Sequence, residues 1–162
     1  MSVIGSHTSV VPPDAASPRS RSHLANDAWE GLLTAHIRLM RQFAAEDIWG
    51  ELSMREYDVL HTLSKCPQPQ RIGELGTHVV LSQPALSRLV DRLETRGLVE
   101  RNRDSSDARS IRISLTEAGA QAQRAVGRAH GASVTATLSA ALSPEELSTL
   151  ITLTHKLQEH AL

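Results

Sequence analysis

The chain of 162 residues is 40% hydrophobic and 22% charged, with a formal net charge of −1. That balance predicts a soluble globular protein of one domain, or a small domain in two parts, and excludes a generally sticky polycation. No apolar run reaches the roughly 18 residues that span a bilayer, and no charged start precedes an apolar stretch, so no membrane partner and a cytoplasmic location are expected.

Residues 1–24, with Pro12, Pro13 and Pro18 among many serines, lack periodicity and read as a disordered N-terminal tail. Residues 25–160 read as the folded part. Trp29, Leu32, Leu33, His36, Met40 and Phe43 recur at helical spacing and predict a first helix over about 26–45. After a break at 46–52, Ser53 and Glu56 make a capping box for a helix to about Ser64, with Val59, Leu60 and Leu63 on its core side. Cys66–Gln70 reads as a loop, Arg71 to about His78 as a short helix with Ile72 and Leu75 inward, and Val79–Leu81 as a turn.

The next stretch carries the richest set of local signals. Ser82 as N-cap, Pro84 in the first turn and Gly97 as the stop predict a helix from Gln83 to about Arg96. Leu86, Leu89, Val90 and Leu93 share one face, while Gln83, Ser87, Arg88, Asp91, Arg92 and Glu94 share the other. The period then changes to two, giving strands at Leu98–Arg103 and Ser110–Leu115 joined by turn formers. Thr116 caps a long helix to about Ala141 despite Gly127 and Gly131. Ser143, Pro144 and Glu146 start a last helix to about His160, with Leu147, Leu150, Ile151, Thr154 and Leu157 in a stripe.

These elements predict a mainly α fold with a small β-hairpin: a winged helix-turn-helix over about 53–116, flanked by helices at about 26–45 and 117–160. A polar, arginine-bearing helix followed at once by a hairpin suits double-stranded DNA, with the helix in the major groove and the hairpin reaching the minor groove. Between Arg71 and Arg112 eight arginines face six acids, a local excess of positive charge. The flanking helices have more apolar face than one chain of this size covers, which predicts a homodimer in which they are the dimerisation helices.

Other chemistries find less support. No glycine-rich phosphate loop, nucleophile elbow or local His and Cys or Ser signature is present, so no enzyme is expected. The single cysteine, Cys66, excludes an internal disulfide and reads as a bystander thiol, since Lys65 is the only nearby cation and no second cysteine could resolve a sulfenic acid. The eight histidines include no H-E-x-x-H or H-x-x-x-H pair, so neither a metal nor any other cofactor is expected. A redox- or metal-responsive regulator of the same fold, or a dimeric interaction module without operator binding, stays as the alternative.

Leu81–Glu94, the run Arg96-Gly-Leu-Val-Glu-Arg101, and Asp107-Ala-Arg109 leading to Ile113-Ser-Leu-Thr-Glu-Ala-Gly119 resemble the multiple antibiotic resistance regulator (MarR) family of winged-helix repressors. The resemblance covers about residues 26–160 in helix order. It implies a homodimeric, ligand-modulated repressor binding a pseudo-palindromic operator. It also implies that Arg109 enters the minor groove while Asp107 holds its guanidinium, and that Arg88 contacts DNA from the recognition helix. Ser82, Gln83, Pro84 and Ser87 are candidates for base and phosphate contacts. Arg101 and Arg103, alternating on the first wing strand, are candidates for phosphates, while Arg92 and Arg96 are as well suited to pair with Glu100 or Asp91. Family members commonly bind small aromatic or phenolic acids between the dimerisation helices and the DNA unit. Here that cleft would draw on Trp29, His36, Met40, Arg55, Tyr57 and His61, with Arg55 meeting a carboxylate.

Overall fold

The computed structural model describes residues 20–103 and 110–160. In chain order the elements are α1 (Arg21–Ala44), α2 (Met54–Lys65), α3 (Ile72–Gly76), α4 (Gln83–Thr95), β1 (Val99–Arg103), β2 (Ile111–Leu115), α5 (Glu117–Ala141) and α6 (Pro144–His160). The mainly helical fold with one antiparallel hairpin is the one expected. The chain divides into two units, Met1–Met40 and Arg41–Leu162.

The first unit contributes most of α1. This helix opens at Arg21, five residues before the expected Asn26, because Leu24 N–H already donates to the Ser20 carbonyl at 3.1 Å and His23 N–H reaches the Ser20 hydroxyl at 3.4 Å. Residues 21–24 of the expected tail are therefore helical, and residues 1–19 of it lie outside the described residues. Leu24, Trp29, Leu32, Leu33 and Ile37 are exposed.

In the second unit the predicted capping box of α2 forms in full. Glu56 N–H donates to Ser53 Oγ, and Ser53 N–H donates back to the Glu56 carboxylate at 2.8 Å. Val59, Leu60, Leu75, Leu86, Val90, Leu93, Val99 and Ile113 are fully buried, so α2, α3, α4 and the hairpin share one core. Two residues of the expected break, Trp49 and Leu52, are buried as well, with the Trp49 indole N–H donating to the Phe43 carbonyl at 2.9 Å.

α4 buries the predicted face, Leu86, Leu89, Val90 and Leu93. It starts without a side-chain cap from Ser82, a departure from the sequence reading. It ends as expected at Gly97, whose φ of 67° lets Leu98 N–H donate to the Leu93 carbonyl and Gly97 N–H to that of Glu94. In the hairpin Val99 pairs with Leu115, Arg101 with Ile113 and Arg103 with Ile111. Gln70, expected in a plain loop, bridges to Ile113 through two hydrogen bonds of 2.9 and 2.8 Å, which adds a third partner beside the middle of β2.

The hairpin hands the chain to α5 at one crowded point. Thr116 caps α5 through Gly119 N–H, and its hydroxyl donates to the Gly97 carbonyl at 2.7 Å. Gly119 packs so close to this turn that a Cβ there would lie 1.9 Å from the Leu98 carbonyl oxygen. α5 is continuous through Gly127 and Gly131, and α6 buries none of its residues. Gly119→Ala is expected to cost roughly 1–3 kcal/mol or more, because the obstacle is backbone that cannot rotate away. Urea unfolding checks this; an unchanged midpoint would show that the turn yields freely.

Candidate nucleic-acid interface and a helix groove

The start of α4 presents a polar strip opposite its buried face. Ser82, Gln83, Pro84 and Arg88 are exposed and Ser87 is half-buried. Among the described residues Arg88 and Arg103 make no ion pair. Four neighbouring arginines are engaged internally.

Two of these hold the far end of α4 to α2. Arg96 Nη1 lies 3.3 Å and Arg92 Nε 3.9 Å from Glu56 Oε1, and Arg96 Nη2 donates to the Glu51 carbonyl at 3.1 Å. Their partner is thus Glu56, in place of the expected Glu100 or Asp91. Glu56 is 40 residues from Arg96 in sequence, which a search of local spacing could not reach. Glu100 instead accepts from Ser114 Oγ, and Asp91 is taken by Arg101. Arg101 is bound by two carboxylates, Asp91 at 2.6 Å and Glu94 at 2.7 Å. Arg112 donates to the Pro69 carbonyl at 2.9 Å and lies 3.7 Å from Glu74. Asp107 and Arg109 lie outside the described residues.

Of the six expected ligand residues, three belong to each unit. Trp29 and His36 are exposed and Met40 half-buried, all in the first unit, while Arg55 is exposed on α2. Within the second unit Tyr57 and His61 meet, as rings stacked at 5.4 Å. They line a groove of about 350 Å³ whose other wall is α5, through Gln123, Arg124, Gly127 and Arg128. That volume is within the range of small-molecule sites. Arg55 does not line it; the cations there are Arg124, paired with Glu117 at 3.1 Å, and Arg128. Their i, i+4 spacing was readable, but which α5 face meets α2 was not.

Gly127 keeps the groove open beside the Tyr57 hydroxyl, which a Cβ would approach to 3.3 Å. Tyr57 also packs with Phe43 and Trp49 around His130, at ring distances of 5.1 to 5.6 Å. Burial pushes the Tyr57 phenol up. It also raises the Asp58 carboxyl, an effect that His130 opposes. His61 is held below its usual value by burial, then by the charges of Lys65 and His130. Gln123 Nε2 stands 3.3 Å from His61 Nδ1, the geometry of amide donation to a neutral ring. Cys66, half-buried at the end of α2, donates its thiol hydrogen to the Thr62 carbonyl at 3.3 Å.

Comparison with known proteins bears on this arrangement. A family model described as MarR family matches residues 52–111. The chain is 31% identical to AbsC, a MarR family transcriptional regulator from Streptomyces coelicolor, over 84% of this chain and 93% of that one, with a TM-score of 0.72. The PcaV transcriptional regulator of the same organism, in complex with its natural ligand, is 26% identical over 94% of this chain and 100% of that one, with a TM-score of 0.61. Sco3205, a MarR family transcriptional regulator from S. coelicolor in complex with DNA, shares the fold at a TM-score of 0.73 and 24% identity, over 90% and 92% of the two chains.

The depressed His61 carries a consequence for stability. As pH falls through the ordinary imidazole value near 6.5, the unfolded chain takes up a proton at His61 that the folded chain declines, so stability falls with pH. Urea unfolding at pH 7.5 and 6.0 is expected to show a smaller acid loss for His61→Gln than for wild type. Equal losses would mean that His61 titrates freely in the fold.

Proposed function

Because the chain belongs to the MarR family of transcription regulators, we propose that it is a repressor that binds a pseudo-palindromic operator as a homodimer and is released by a small aromatic or phenolic acid. It is a regulator and not an enzyme, as its family membership implies. The observation that carries the DNA reading is the exposed polar start of α4, with Arg88 clear of any ion pair among the described residues, set on a helix whose opposite face is buried. α4 would enter the major groove and the β1–β2 wing would approach the minor groove. Ser82, Gln83, Pro84, Ser87 and Arg88 contact bases and phosphates in this reading, Arg103 meets a phosphate, and Arg109, oriented by Asp107, reads groove width.

The homodimer is supported by apolar surface that neither unit covers on its own account. α6 exposes Leu150, Ile151, Leu153 and Leu157, and α1 exposes Leu24, Trp29, Leu32, Leu33 and Ile37. Helices 26–45 and 117–160 would then form the dimerisation region and residues 53–116 the winged unit. Two-fold symmetry sets the two recognition helices one DNA turn, about 34 Å, apart. The α2–α5 groove supports the effector: an aromatic ring stacks beside Tyr57 and His61 while a carboxylate meets Arg128.

Three measurements test this reading. A gel shift with fragments containing the chain's own promoter is expected to show binding that weakens steeply with salt. Arg109→Ala is expected to cost roughly 1–3 kcal/mol of that binding, more than Arg101→Ala, and Asp107→Ala to reproduce part of the defect although it removes a negative charge. No shift at low salt would refute operator binding, and tighter binding by the Asp107 variant would refute its orienting role. Light scattering at micromolar concentration is expected to give a dimer, and a well-folded monomer would remove the second copy from the proposal.

A further inference from the structure

We propose that Arg101 is a positioning residue that fastens the wing to the recognition helix and is not itself a phosphate ligand; the proposal rests on the reading of α4 as that helix. Its guanidinium forks between two carboxylates one turn apart on α4, with Nη2 2.6 Å from Asp91 Oδ1 and Nη1 2.7 Å from Glu94 Oε2. Both bonds are charge-assisted and short, and the planar fork reaches two acceptors at once, which a lysine ammonium does less well. The Arg101 side chain is 25% exposed, whereas those of Asp91 and Glu94 are 57% and 39% exposed. The cation is the least solvated member of the three.

Its place on the strand gives the clamp a purpose. Val99, Arg101 and Arg103 share one face of β1, and they pass from buried through half-buried to exposed. Val99 belongs to the core, and Arg103 makes no ion pair among the described residues. Arg101 stands between them, so the angle at which the outer hairpin leaves the core is set where Arg101 meets α4. Swinging Arg101 onto a phosphate would break two ion pairs and leave two bare carboxylates beside a polyanion. Such a contact would lose more electrostatic attraction than it gained.

The sign of one substitution separates the roles. Asp91→Asn combined with Glu94→Gln removes two negative charges and releases Arg101. For a phosphate ligand this tightens DNA binding and steepens its salt dependence by about one unit per wing. For a clamp it weakens binding, by about tenfold, and leaves the salt slope unchanged. Arg101→Lys keeps the charge: a phosphate ligand would tolerate it, while a clamp loses its fork and weakens in the same way.

The experiment measures DNA affinity across a salt series for wild type and both variants, together with hydrogen exchange of the 99–103 and 111–115 amides in the DNA-free protein. Faster exchange in both variants, with weaker binding at an unchanged slope, is the expected result. Unchanged exchange, or tighter binding by the Asp91→Asn, Glu94→Gln protein, would overturn the clamp. If wild type binds no DNA, the repressor reading fails, while the exchange rates still decide whether Arg101 orders the wing.

Discussion

Glu56 gives up its water at the start of α2, and the winged unit is assembled around how that loss is offset. A buried carboxylate without donors is costly. This one accepts from the Ser53 N–H and hydroxyl on one oxygen and faces Arg96 and Arg92 on the other. The same charge therefore caps α2 and fixes the far end of α4. Its neighbour Tyr57 lines the groove, so one short segment of α2 touches both α4 and the groove.

The charge pattern around α4 follows a division of labour. Arg92 and Arg96 at its C-terminal end and Arg101 on β1 are paired with Glu56, Asp91 and Glu94, while Arg88 at the exposed start of the helix is clear of any ion pair among the described residues. Internal pairing explains how a chain of net charge −1 can have an arginine-rich segment without a strongly basic surface. Affinity for a polyanion then depends on a few well-placed cations rather than on the total.

Signals acting within a turn or two were legible in the sequence: the Ser53–Glu56 box, the Gly97 stop, the buried face of α4 and the period-two strands. Family resemblance was legible on the same residues. What escaped depends on which faces meet. Trp49 is a lone aromatic in a stretch without periodicity, so nothing in its neighbours marked it as core. Glu56 reads locally as a cap, and only tertiary packing brings Arg92 and Arg96 to it. Tyr57 and His61 were named for a cleft that the resemblance implies, whereas Gln123, Arg124, Gly127 and Arg128, which line the groove with them, carry no aromatic or apolar signature. Arg101 was read by its alternation along β1, which shows where a side chain points but not which acids lie opposite.

The bridge between Gln70 and Ile113 limits how this protein can change over evolution. Ile113 is 1% exposed, and a one-residue slip of β2 would turn it outward with every other residue of that strand. The two hydrogen bonds from Gln70 tie that register to the short segment between α2 and α3. Loops usually accommodate insertions and deletions, but here an added or lost residue between Cys66 and Gln70 would force either a broken bridge or a shifted strand. Variation in loop length should therefore be tolerated elsewhere on the surface and suppressed in this connection.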